Sequence, residues 1–426
     1  MPQVLARTGG RAGTLVLRFT CAALLVYALL PSRVAASKQT HLIDRLSIRG
    51  AKRTQRETFL ALLPRVPPAR YDDAEVEEFA RRLSNLAIFD HVAVERHGTQ
   101  LDIVVREKWT LIPEFSLATG KSAADASVEL GATEHNISGR GSRLEISVAR
   151  EQRGFNFMIG LNEHLYGQRR WARGVVLSYA TTSCRFEDGQ GWLVNTPRLV
   201  AWTSSPPLLS RYLRYQTGLT LQHEQMTRVH AGEAPPQGYA LQVGMSLTYD
   251  RYRWHDLVPR GLSMTITAGP GFLAPASQAR HFADLTLRAA LPLARGLVWT
   301  TRLMASVSTR GNPNASSLLG SIQGVRGLAD SLYRNWAQAF VNLELRQAVP
   351  LLDRLAMQAV LFADAAEFQR LDAAGARAER LTALSFGAGL RLLPTFIAEA
   401  VLRLDVARLI QPNQVWFSQF GVTQYF

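Results

Sequence analysis

Ala400-Val401-Leu402-Arg403-Leu404-Asp405-Val406-Ala407 is the stretch on which the fold turns. Leu402, Leu404 and Val406 alternate with Arg403 and Asp405. A period of two puts the apolar side chains on one face of a strand and the charges on the other. The same alternation recurs upstream. Val341, Leu343 and Leu345 oppose Asn342, Glu344 and Arg346; Leu285, Leu287, Ala289 and Leu291 oppose Thr286 and Arg288; Leu144, Ile146 and Val148 oppose Arg143, Glu145 and Ser147. Between Leu111 and Phe426 hardly a helical period occurs.

Sixteen such segments can be placed, near 111–118, 126–136, 142–151, 155–165, 171–182, 192–202, 214–226, 239–250, 261–273, 282–293, 297–309, 337–349, 355–368, 382–392, 396–407 and 415–426. In a soluble sandwich the apolar face meets a second sheet; in a membrane barrel it meets lipid, and the polar face meets the lumen. Alternation alone does not separate the two. Charges such as Arg403 with Asp405 and Glu344 with Arg346 suit a wet, crowded lumen. An even strand count fits a bacterial barrel, as do short connections alternating with long ones at 183–191, 203–213, 227–238 and 310–336. The expected class is therefore mainly β: a 16-stranded transmembrane antiparallel barrel over 110–426.

The last segment ends Phe420-Gly421-Val422-Thr423-Gln424-Tyr425-Phe426. Phe420, Val422 and Phe426 share a face, although Gln424 interrupts it. A strand that runs to an aromatic terminus is what outer-membrane barrels present to their assembly machinery, whereas most termini fray. Phe420, Val422, Tyr425 and Phe426 are the expected C-terminal assembly signal.

The other end carries Arg7, Arg11 and Arg18, then an apolar or small-residue run of twelve from Phe19 to Leu30, then Val34-Ala35-Ala36. Basic, apolar and small-residue regions in that order read as a secretory signal peptide over 1–36. As a membrane anchor the run is short, about 18 Å of helix against a core of about 30 Å. Without Arg7, Arg11, Arg18 and Arg33 the net charge falls from +14 to +10. The remaining Lys and Arg are scattered, so the dense basic patch of a nucleic-acid binder is missing. Anionic lipid or a charged lumen is the better account of the excess. Of two cysteines, Cys21 lies in the leader and Cys184 remains, which leaves neither an intramolecular disulfide nor a cysteine zinc site.

Residues 40–109 read as a separate α/β module. Leu46 and Ile48 alternate with Ser47 and Arg49 up to Gly50. Thr54 precedes Glu57 by three, a capping-box spacing, and opens a helix that Pro64 stops. Asp72 and Glu75 repeat the spacing ahead of Val76, Phe79, Ala80, Leu83 and Leu86 on one helix face. Strands follow with Val92 and Val94, then Leu101, Ile103 and Val105. The order β-α-α-β-β, with the corner Leu86-Ala87-Ile88-Phe89-Asp90-His91-Val92, resembles a POTRA domain. A free sheet edge there would accept a strand from a periplasmic partner; a spacer that holds the barrel away from such partners is the alternative.

One such module before a barrel resembles the BamA/TamA/FhaC superfamily of outer-membrane assembly and secretion barrels. Four stretches carry the resemblance. His135-Asn136-Ile137-Ser138-Gly139-Arg140-Gly141 is similar to the first periplasmic hairpin of that family. Asp250 to Gly261 is similar to its Asp…Pro-x-Gly turn. Val325-Arg326-Gly327-Leu328 is similar to its Val-Arg-Gly-aromatic motif, on a loop folded into the barrel. Leu361-Phe362-Ala363-Asp364-Ala365-Ala366 is similar to its Phe-x-Asp-x-Gly strand. Leu328 stands for the aromatic residue and Ala366 for the Gly.

An arginine inside a barrel must be paired or wet. Phe362 and Asp364 share a face, so Arg326, flanked by Gly327, is expected to pair with Asp364, with Glu344 a second candidate partner. A guanidinium–carboxylate pair is directional and suits a latch on loop 310–336. An arginine that merely solvates a surface loop is the alternative.

Enzymatic motifs fail. Thr119-Gly120-Lys121-Ser122 lacks the earlier Gly of a phosphate loop, and Phe115 occupies that position. No catalytic residue, metal or cofactor is assigned. The resemblance implies a barrel in the outer membrane, with its N-terminal module in the periplasm, that assists insertion, assembly or translocation of other polypeptides; in the insertase mechanism it implies, the first and last strands form a weak seam. The alternatives are a dedicated two-partner-type secretion pore and a passive or structural channel. Expected partners are unfolded polypeptide clients, outer-membrane lipid and lipopolysaccharide, and periplasmic proteins.

Overall fold

The computed structural model describes residues 40–86, 88–119, 126–151, 154–166, 171–185, 191–206, 212–231, 237–255, 257–309, 317–318, 324–328, 334–371, 378–397, 400–411 and 414–422. The expected signal peptide, Tyr425 and Phe426 lie outside them.

The N-terminal module comprises β1 (Thr40–Ile43), β2 (Arg45–Arg49), α1 (Arg56–Leu62), β3 (Ala69–Asp72), α2 (Asp73–Ser84), β4 (Phe89–His97) and β5 (Gln100–Glu107). It contains the two helices and three strands expected, and β1 and β3 add a short antiparallel pair. In the three-stranded sheet β5 is central, parallel to β2 and antiparallel to β4. Phe59, Phe79, Leu83, Leu101 and Ile103 are fully buried between helices and sheet, each such side chain contributing about 1.5–3 kcal/mol.

The expected cap of α2 forms: Asp72 accepts from the Glu75 amide at 2.8 Å, and Glu75 accepts from the Asp72 amide at 3.0 Å. That of α1 does not. The N-cap is Gln55, with no side-chain cap bond. The Thr54 hydroxyl is engaged elsewhere, accepting from Asn136 Nδ2 at 3.1 Å, so a contact with the next domain takes the group that local spacing assigns to the helix.

Among the described residues sixteen long strands close into an antiparallel barrel. They are β6 (Leu111–Thr119), β7 (Ser127–Glu134), β8 (Arg143–Glu151), β9 (Gly154–Tyr166), β10 (Trp171–Arg185), β11 (Gly191–Ser204), β12 (Leu213–Ala231) and β13 (Gly238–Asp250). A three-residue strand, β14 (Arg253–His255), precedes β15 (Val258–Ala274), β16 (Gln278–Ala294) and β17 (Leu297–Ser308). A two-residue strand, β18 (Ser317–Leu318), precedes β19 (Arg334–Leu352), β20 (Leu355–Leu371), β21 (Ala378–Pro394), β22 (Leu402–Gln411) and β23 (Val415–Val422).

Burial settles the choice that alternation leaves open. Leu402, Leu404 and Val406 are 37%, 46% and 42% exposed, while Arg403 and Asp405 between them are 1% and 0% exposed. Charges face in and apolar side chains face out, the reverse of a protein built for water and the pattern of a lipid-facing barrel. Trp416 and Phe420 project from the outer face of β23.

One segment is misplaced by its sequence. The strand expected over 396–407 is Leu402–Gln411. Ala400 packs with Ile112, and Val401 with Ala356 and Leu393, at the end of the barrel that faces the module. Their apolar character serves this packing and not a lipid-facing strand.

Closure from β23 to β6 is brief. Register runs only from Ser418 opposite Thr119 to Gly421 opposite Ser116, four positions among the described residues.

The β7–β8 hairpin docks on the module. Gly139 O accepts from the Gln55 amide at 2.8 Å and from the Thr58 hydroxyl at 3.0 Å. Gln55 Nε2 donates to Ser138 O at 2.9 Å, and Arg140 Nε donates to Gln55 Oε1 at 3.1 Å. Inside the module Glu107 receives the backbone N–H groups of Arg53 and Thr54, at 3.1 and 2.8 Å to the nearer oxygens.

Candidate functional site

The site lies in the lumen, where the long connection between β17 and β19 returns to the barrel wall. Gly324 to Leu328 turn back there, with the Leu328 amide donating to Val325 O at 3.2 Å. Gly327 has φ +89°, and a Cβ on it would stand 3.3 Å from the Leu409 Cβ, so both backbone and space favour glycine.

Arg326 is fully buried. Its Nε and Nη2 donate to the two oxygens of Asp364, each at 2.7 Å, and its amide donates to Asp364 Oδ2 at 3.1 Å. Nη1 donates to Glu344 Oε1 at 2.7 Å and lies 3.8 Å from Asp405. The guanidinium sits 3.4 Å from the Phe362 ring centroid. Arg326, Gly327, Asp364, Glu344 and Phe362, singled out in the sequence, thus meet at one place. The pairing is bidentate and charge-assisted, the strong form of the interaction.

The wall supplies further groups that the sequence reading did not assign to this site. Asn342 Nδ2 donates to Asp364 Oδ1 and to Gly324 O, both at 2.9 Å. Glu344 also receives Arg346 Nε at 2.7 Å and Arg391 Nη2 at 2.9 and 3.0 Å. Gly387 stands opposite Phe362, and a Cβ on it would fall 2.5 Å from the ring, so β21 leaves a hollow for the ring beneath Arg326. Arg403, 3.8 Å from Asp405, bonds to the side-chain oxygen of Gln419 on β23. Gln419 Nε2 in turn reaches Ser116 Oγ on β6 at 3.4 Å.

The apolar residues of the loop have their own seat. Val325 and Leu328 pack with Phe340, Ala366, Phe368, Ala383 and Leu409. Leu328 and Ala366, the two departures from the family pattern, share this cluster.

Two other features bound the lumen. A cavity of about 450 Å³ lies against β11–β17, lined by Arg198, Trp202, Gln222, Gln242, Phe282 and Asp284 among others. At the module end, Leu257 reaches past β16, β17 and β19 to pack on Ala356, Leu393 and Val401. The turn between β13 and β15 therefore crosses the barrel mouth. Among the described residues no group of His, Cys, Asp and Glu could hold a metal ion.

No protein-family model and no curated protein matches the sequence. Solved structures do match in three dimensions. CdiB from Acinetobacter baumannii aligns at TM-score 0.62 and 12% identity, over 90% of this chain and 73% of that one. BamA from Haemophilus ducreyi lacking POTRA domains 1–3 aligns at 0.54 and 15% identity, over 89% and 84%. CdiB from Escherichia coli aligns at 0.54 and 11% identity, over 92% and 93%. The fold is that of these outer-membrane barrels. The barrel lies in the outer membrane, and the small α/β module faces the periplasm.

Proposed function

We propose that this protein is a dedicated export barrel, which passes a partner polypeptide through its lumen and closes with the loop that carries Arg326. The observation that carries this reading is the bidentate Arg326–Asp364 pair, fully buried on a loop inside the barrel. An ion pair holds its loop well while dry and loses most of its worth once water or a charged chain reaches it. That suits a stopper that must leave and return.

The module is taken as POTRA-like and as the periplasmic receiver. Its sheet edges, β2 and β4, pair with no further strand among the described residues. An edge of this kind accepts a strand from another chain. The apolar outer face meets membrane lipid and lipopolysaccharide.

A second reading, insertion of other barrels, draws on the four-position seam between β23 and β6. A short seam loses few hydrogen bonds when it exchanges its edge for a client strand.

Quantitative proteomics of the outer membrane and culture medium after depletion tests the two. Loss of one secreted protein is the expected result. Loss of many outer-membrane barrels would transfer the function to insertion, and unchanged fractions would end both readings. A Leu117→Cys, Phe420→Cys pair, opposite each other across the seam, adds a second arm. Export should run equally well oxidised or reduced, whereas insertion should stop on oxidation.

A further inference from the structure

The turn between β13 and β15 carries arginines that neither the latch nor the seam uses. β14 pairs with the start of β15 so that Arg253 stands directly opposite Arg260. Like charges at such a position repel. Neither makes a hydrogen bond or ion pair among the described residues, and Arg260 Nε is buried without a partner. Arg251, exposed on the same turn, lies 5.0 Å above the Tyr212 ring. Arg81 of α2 is within electrostatic reach of Arg253, and Arg214 of β12 is within reach of Arg81 and Asp250. Among the described residues, which do not include Asp256 of this turn, two carboxylates stand against these five cations. One, Glu78, is already taken by Arg81 at 2.5 Å and Arg82 at 3.0 Å. The other, Asp250, bonds back to the Tyr252 amide at 3.0 Å.

The position narrows the ligand. Tyr252, which separates Arg251 from Arg253, turns its buried hydroxyl toward Arg346, Glu344 and Arg391 in the lumen. Leu257 anchors the far end of the turn on β20–β22. Alternation then sends Arg253 and Arg260 to the other side of the turn, toward α2 and the periplasm. This cationic surface is the underside of the closure over the lumen, set inward from the lipid belt. What meets it is a chain entering from the periplasm.

We propose that Arg251, Arg253 and Arg260, with Arg81, form a binding site for an acidic segment of polypeptide at the periplasmic mouth. The proposal rests on the export reading and names the chemistry of the client segment. A run of Asp or Glu relieves the Arg253–Arg260 repulsion and competes for the surface that keeps the turn across the mouth. Arg251 is exposed and Arg253 and Arg260 are partly so, and charges in contact with solvent attract over about a Debye length and are screened by salt.

The test uses the full chain in detergent micelles with fluorescent ten-residue peptides of Glu or of Lys. The Glu peptide should bind and the Lys peptide should not. Affinity should fall as salt is raised from about 50 to about 500 mM. It should fall by about tenfold or more in Arg253→Glu/Arg260→Glu, and also in the milder Arg253→Gln/Arg260→Gln, whose barrel content is checked by circular dichroism. Equal binding to the variants would overturn the site. So would displacement of the Glu peptide by short-chain phosphatidylglycerol at matched charge, since that marks a headgroup site. If depletion costs one secreted protein but the Glu peptide does not bind, the site falls and export stands. If the peptide binds through these arginines but the culture medium is unchanged on depletion, export falls and the site stands.

Discussion

Gln419 on β23 donates through Nε2 to Ser116 on β6, across the seam where the barrel closes. The same side chain accepts from Arg403, which neighbours Asp405, which neighbours Arg326 of the loop. Loop and seam thus share one chain of polar contacts. Arg326→Ala and Gln419→Ala are expected to be non-additive, with a coupling of about 0.5–3 kcal/mol. A double-mutant cycle in thermal unfolding measures it, and additivity within about 0.3–0.5 kcal/mol would separate the two features.

Asp364→Asn keeps the shape of the Arg326 partner and removes its charge. Stripping one member from a buried pair costs about 3–5 kcal/mol, and that cost falls on loop docking. Protease added outside proteoliposomes should cut within 310–336 faster in the variant than in the parent. Arg326→Lys should behave similarly, because a lysine cannot reproduce the two-point contact.

Leu328 and Ala366 occupy one cluster, so their sizes should be coupled. Leu328→Phe alone overpacks the cluster and should cost about 1–3 kcal/mol. Adding Ala366→Gly should recover most of that loss in a melting experiment. No recovery would mean that the two residues do not trade volume.

On the export reading Leu257, packed on Ala356, Leu393 and Val401, and the loop segment around Arg326, packed on Phe340, Phe368 and Leu409, are two separate closures of the lumen. Closures in series predict that Leu257→Asp and Asp364→Asn each leave conductance low in planar bilayers. The double variant should conduct more than the two singles together. A single variant that conducts fully would assign all of the closure to one element.

Glu107 supplies a pH dependence outside the membrane. Burial opposes its ionisation, but the Thr54 hydroxyl and the backbone N–H groups of Thr54, Arg53 and Lys52 outweigh burial and hold its carboxyl below the usual range. Its contribution is therefore complete above the ordinary carboxylate pKa of about 4.3 and is lost as pH falls through the lowered value. Amide exchange at Arg53 and Thr54 should accelerate on acidification below about pH 4. In Glu107→Gln it should show little such dependence.

The strands were legible because lipid imposes a period of two on one face, and Leu402 to Val406 display it without interruption. Length was less so. β12 runs to Ala231 and β19 begins at Arg334, beyond the ends that alternation marks. The start of β22 was misread because Ala400 and Val401 are apolar for a different reason, the packing at the periplasmic mouth. At the site, Asp364, Phe362, Glu344 and Arg326 were visible from motif and face. Asn342, Arg391 and Gln419 were not, because period two tells which side a residue faces and not which neighbour it meets. That depends on register between strands distant in sequence. Gly387 left a trace, since Ser385-Phe386-Gly387-Ala388-Gly389 puts small residues on the inward positions of a strand that should carry larger polar ones.

Inward charges and outward leucines bear on the journey as well as the destination. A translocation channel retains segments of about twenty apolar residues in a row. Strands such as Leu402 to Val406 deliver their apolar residues singly, with Arg403 and Asp405 between them. The chain can therefore pass the first membrane it meets as though it were hydrophilic, and becomes greasy on one side only when its strands pair. What commits it to the second membrane is folding itself.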